Sequence, residues 1–137
     1  DYHDTFDDAL KHTITETYKK ARNDDFKYEY SSLIYQFPDY PNRYYAQIGD
    51  TWLMNDRVYY KPRIEENPDI NIIAGIHTHP YETQSVFTQR DVEFNRKHNA
   101  HTYVIEPLNG DRYNKFNVYV LEKDKTLYDK LHKIILD

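Results

Sequence analysis

The chain has no cysteine in 137 residues. That excludes a disulfide framework, a thiolate metal site and a cysteine nucleophile. No apolar run approaches the ~20 residues of a membrane-spanning helix, and nothing resembles a signal peptide. Positive charge is also short: 18 Lys and Arg stand against 23 Asp and Glu, a net charge of −5. Such a balance holds no polyanion, so neither nucleic acid nor a membrane is expected as a partner. Internal repeats, low-complexity tracts and linkers are missing too, so residues 1–137 read as a single domain. A chain of this length buries about two-thirds of its unfolded surface without disulfides. A start at Asp1 rather than Met is what a domain cut from a longer protein would show.

Tyrosine, by contrast, is abundant, with 15 residues. Its amphipathic ring serves equally as a partner surface or as a replacement for Phe in core and sheet. Residues 5–22 are predicted helical: Thr5 with Asp8 makes a capping box, and Phe6, Ala9, Leu10, Ile14, Tyr18 and Ala21 recur at helical spacing. Strands are predicted in KYEYSSLIYQF (27–37), RYYAQIG (43–49), RVYYKP (57–62), INIIAGIHTH (70–79), HTYVIEP (101–107) and YNKFNVYVLEK (113–123). The fourth of these is a nearly continuous apolar run, as in a strand buried on both faces. The last two are joined across Asn109-Gly110, a hairpin signal. TQRDVEFNRKHN (88–99) reads as a helix capped by Thr88 with Asp91 at its third position, and 125–136 as a closing amphipathic helix. The expected class is α+β, a mixed sheet flanked by helices.

The chemistry concentrates in GIHTHPYETQSVFTQRD, residues 75–91. Side chains two apart on a strand share a face, so His77 and His79 point the same way. Neutral imidazole suits zinc, and a catalytic zinc takes three protein ligands and leaves one position open. Asp91 is the natural third ligand, in the first turn of the next helix, where free N–H groups favour a carboxylate. Pro80 stiffens the exit from His79. Either half of the pattern alone is common surface polarity or helix capping; their conjunction at the end of a buried strand is what points to a metal. Hydrolysis also needs a base that is not a ligand. Glu29 is the first candidate, a charge in the otherwise uncharged segment YEYSSLIYQF, and Glu82 in the loop after the histidines is its rival. The other histidines (His3, His12, His98, His101 and His132) have no partner at ligand spacing and read as surface residues. His98 and His101 flank a helix end, where an imidazolium would complement the helix C-terminus. Trp52, in the polar loop DTWLMND, either anchors a partner at the rim of the site or tucks under the loop as core.

Glu29 in E-x-x-S-L-I-Y, H-T-H-P at 77–80 and T-x-x-D at 88–91 together resemble the signature of the JAMM (Jab/MPN) metalloproteases. More narrowly, residues 5 to 120 are similar to the JAB-like toxin domains at the C-termini of bacterial polymorphic toxins of the Rhs type. The resemblance implies a JAMM/MPN-like fold with cytidine-deaminase-like layering, and zinc held by His77, His79 and Asp91 with water as fourth ligand. It implies Glu29 as general base and then proton donor to the leaving amine, and Thr88 in place of the motif serine that steadies the oxyanion. Ser85 has no Asp three residues on, so Thr88 is the better match. Thr for Ser adds a methyl, and the loop of residues 80–87 is one residue longer than the family pattern.

The implied activity is zinc-dependent peptide or isopeptide hydrolysis on a peptide or ubiquitin-like protein. The implied setting is a secreted or delivered toxin domain acting in a target-cell cytoplasm, countered by a cognate immunity protein. Two rivals remain at this stage: a non-catalytic MPN-like module binding through its tyrosine surface, and another metal hydrolase such as a nuclease, which the acidic balance disfavours.

Overall fold

The computed structural model describes residues 1–49, 53–54, 57–60, 67–83, 86–125 and 128–131. Its elements in chain order are α1 (Phe6–Asn23), β1 (Glu29–Gln36), β2 (Tyr45–Ile48), β3 (Leu53–Met54), β4 (Arg57–Tyr60), β5 (Asn71–Thr78), α2 (Gln89–His98), β6 (His101–Pro107), β7 (Phe116–Leu121) and β8 (Asp129–Leu131). The architecture is α+β. The strands form one mixed sheet in the order β3-β4-β1-β5-β6-β7-β8, with β2 also paired to β1.

The helix α1 starts where the Asp8 N–H donates to Thr5 Oγ1 at 3.1 Å, which relieves one of the unpaired donors of a first turn. Its apolar stripe of Ala9, Leu10, Ile14, Tyr18 and Ala21 packs on Ile34, Ala74, Ile76, Tyr103, Ile105, Val118 and Val120, the alternate residues of four strands. Two hydroxyls cross that interface, Thr17 Oγ1 and Ser32 Oγ at 2.7 Å, which keeps a buried polar pair satisfied.

The opposite face of the sheet receives α2. Strands β5 and β6 run parallel, and a parallel pair needs a crossover; α2 is that crossover. It ends on Asn99, held left-handed at φ 49°. The Ala100 N–H then returns to the Asn95 carbonyl at 3.1 Å, closing the last turn before β6 begins.

One local expectation fails. Residues 129–131, expected within a helix, pair antiparallel with β7, Leu131 opposite Val118. The open edge of β7 offers a row of unpaired N–H and C=O groups, and filling that ladder outweighs a helical pattern at the chain end. The expected β6–β7 hairpin forms, with Gly110 outside any positive-φ turn. The connection runs from Leu108 to Lys115, closed by the Leu108 N–H on the Lys115 carbonyl at 3.0 Å and by internal turns at Asp111. Asn-Gly therefore lies inside a longer loop rather than in a two-residue turn.

Candidate metal centre and base

Strand registers assemble the site. In the antiparallel pair β1–β5, Ser31 faces His77 and Leu33 faces Gly75. One same-face step further brings Glu29 beside His79, whose Nε2 stands 3.9 Å from Glu29 Oε1. The Tyr30 N–H donates to Thr78 Oγ1 at 3.0 Å, so the middle residue of His-Thr-His, turned to the other face, ties the start of β1 to the end of β5. Thr78 is fully buried. Its hydroxyl thus holds the backbone next to Glu29.

Asp91 enters from the first turn of α2. Its Oδ2 accepts the Thr88 N–H at 2.7 Å and the Thr88 hydroxyl at 3.1 Å. The other oxygen, Oδ1, lies 3.5 Å from His77 Nε2. Helix and strand count in opposite directions here, with Asp91 against His77 and Phe94 against Gly75. The His77 and His79 rings stand 5.2 Å apart between centroids. Burial holds the His77 imidazole below its ordinary value, against the upward pull of the Asp91 charge. It is therefore kept neutral, the form that can donate a lone pair.

Two ligands at ~2.0–2.1 Å from a tetrahedral ion stand roughly 3.3 Å apart. The 3.5 Å between His77 Nε2 and Asp91 Oδ1 is close to that spacing. Among the described residues no three His, Asp or Glu side chains are already drawn together around one point. The donor chemistry, two imidazoles and a carboxylate whose Oδ1 faces His77, suits zinc.

The structure thus brings together Glu29, His77, His79 and Asp91, with Thr88 adjoining through Asp91. The Glu82 side chain is exposed, and its charge is felt at Tyr119 on β7. Trp52 and Ser85 lie outside the described residues. His98 and His101 are half-buried rather than surface residues. His98 lies against the Phe94 ring, and His101 accepts the Lys123 N–H at 3.2 Å. Burial lowers the His101 value, which disfavours the imidazolium expected to complement the end of α2.

Sequence reasoning missed Glu106. It is 1% exposed, and its Oε2 lies 2.7 Å from His79 Nδ1. The signal was present: a lone charge in the apolar strand HTYVIEP, the same cue that singled out Glu29. The parallel register, Thr78 opposite Ile105, puts it level with His79.

No family model matches the chain, and no curated protein matches it.

Proposed function

We propose that this domain is a zinc-dependent peptidase or isopeptidase of the JAMM type. The observation that carries the reading is the convergence at the end of β5: His77 3.5 Å from Asp91, with Glu29 3.9 Å from His79. A carboxylate that is not needed as a ligand thus stands beside two imidazoles and a second, half-committed carboxylate. That set is more than helix capping requires.

Zinc, when bound, supplies a Lewis acid that acidifies water and polarises an amide carbonyl. His77, His79 and Asp91 Oδ1 would hold it. Glu29, about a third exposed at its side chain, is open enough to reach water and substrate. It takes the proton of the attacking water and returns it to the leaving amine. The Thr88 hydroxyl is exposed but donates to Asp91, so steadying an oxyanion would cost it that bond. The resemblance adds the setting: a delivered bacterial toxin domain acting on a peptide or ubiquitin-like substrate, with an immunity protein as inhibitor. No helix among the described residues is long and apolar enough to cross a membrane.

A second reading has its own support. Tyr35, Phe37 and Tyr45 form mutual ring contacts at 5.1 to 5.7 Å, and Arg43 lies over the rings of Tyr2 and Tyr40. This aromatic surface sits near the far end of β1, roughly 20 Å from Glu29 at 3.3 Å per residue. A binding module would use it without catalysis. By contrast β4 runs beside Glu29, Tyr59 level with it, so the β3–β4 segment borders the site.

The deciding experiment loads purified protein with zinc, desalts it, measures metal per chain and assays cleavage of peptide and ubiquitin-like conjugates. One zinc per chain is expected in the wild type and in Glu29→Ala, with turnover lowered ~100- to 10,000-fold in the variant. His77→Ala should lose metal and turnover together. No retained zinc in the wild type refutes the proposal; zinc without cleavage favours the binding module. A dead Glu82→Ala beside an active Glu29→Ala would transfer the base role to Glu82.

A further inference from the structure

Glu106 lies outside the implied ligand set and outside the catalytic pair, yet it is the most deeply buried acid at the site. Its carboxylate accepts from three directions. Oε2 faces His79 Nδ1 at 2.7 Å and takes the Thr83 hydroxyl; Oε1 takes the Thr83 N–H at 3.3 Å. The backbone reinforces the contact, because the His79 N–H donates to the Ile105 carbonyl at 2.9 Å, extending the β5–β6 ladder by one residue. His79 is thus fixed at main chain and at ring by the same strand.

A neutral imidazole carries one N–H, and an ionised carboxylate accepts only. With the proton on Nδ1 the 2.7 Å contact is a hydrogen bond, whereas two facing lone pairs would repel. That leaves the Nε2 lone pair on the side of Glu29. In the other tautomer Nε2 would be blocked by its own hydrogen and useless as a ligand. We infer that Glu106 is a positioning residue that locks His79 in the Nδ1–H tautomer and aims Nε2 toward Glu29. Its bonds to Thr83 also hold the residues just after the histidines, so one carboxylate holds both a ligand ring and the chain that leaves it. The ligand role of Nε2 rests on the metallopeptidase reading; the tautomer does not.

The test is therefore made first without metal. Long-range 15N–1H correlation spectra of the metal-free wild type report which ring nitrogen of His79 is protonated at neutral pH. The expected result is Nδ1 protonated and Nε2 bare. In Glu106→Gln, a near-isosteric change whose amide can donate to Nδ1, the Nε2–H form should grow in. Thr83→Ala, which leaves the Glu106–His79 bond intact, should keep the wild-type pattern. In zinc competition titrations Glu106→Gln should bind about 10- to 100-fold more weakly, as loss of a carboxylate behind a ligating imidazole generally does. Glu106→Asp should recover part of that loss. Wild-type His79 found as the Nε2–H tautomer, or with both nitrogens protonated, overturns the inference. So does a Glu106→Gln protein whose tautomer and zinc affinity match the wild type. Zinc missing from a wild type with the expected tautomer sinks the functional reading alone.

Discussion

The Phe94 ring closes over Gly75 so tightly that a Cβ built on Gly75 would lie 2.7 Å from the ring. This contact seats α2 on β5 one helical turn beyond Asp91. Gly75→Ala forces the ring aside, and overpacking of this kind typically costs about 1–3 kcal/mol. Denaturant melts should show that loss, and zinc affinity should fall as Asp91 shifts with the helix. Adding Phe94→Leu should restore much of the stability. A Gly75→Ala protein with wild-type stability and wild-type metal affinity would show that α2 is seated elsewhere.

Asp91 has two tasks that a single substitution separates by measurement. Asp91→Asn keeps the shape but removes the charge that accepts the Thr88 N–H at 2.7 Å. The metal-free protein should lose about 1 kcal/mol, the usual scale of a lost helix cap. Zinc affinity should drop far more, because the ligand has lost its charge. Calorimetry with and without zinc checks both; a metal-free loss with unchanged zinc affinity would reduce Asp91 to a cap.

Acid should destabilise the fold below about pH 6.5. Burial lowers the values of His77 and His101 from an ordinary 6.5. As pH falls through 6.5 the unfolded chain takes up protons that the native histidines refuse, so the balance moves toward unfolding; above 6.5 the two states bind alike and nothing is lost. Melting temperature of the metal-free protein should be flat from pH 8 to 7 and decline toward pH 5. His101→Gln should make that decline shallower. A melting temperature that climbs on acidification would contradict the sign.

Alkali should act in the same direction through a different group. Burial, aided by the Glu122 and Asp7 charges, raises the Tyr103 phenol above its ordinary 10.0. Above pH 10 the unfolded chain releases a proton that the folded one keeps, and stability falls as pH rises. Tyr103→Phe should flatten that slope. Some slope should persist, since Tyr18 and Tyr35 are raised by burial as well. An unchanged alkaline slope in Tyr103→Phe would mean that this phenol ionises freely in the native state.

What the sequence determined by itself is local. The α1 stripe, the capping pair Thr5–Asp8, the buried run of β5 and the start of α2 near Thr88 depend on periodicity and on contacts three or four residues apart. The pairing of His77 with His79 on one face follows from strand geometry alone, and Asp91 follows from its place in the next turn. Only tertiary structure decided the rest. That Glu29 stands beside His79 turned on the β1–β5 register, which long-range pairing sets. Glu106, 27 residues beyond His79, became its partner because α2 crosses over and returns β6 parallel to β5. Residues 129–131 joined the sheet because β7 had an edge to fill, a vacancy no local pattern records. Short-range forces write themselves into neighbouring residues; strand registers are fixed by the summed fit of whole elements, and so they emerge only when the chain has folded.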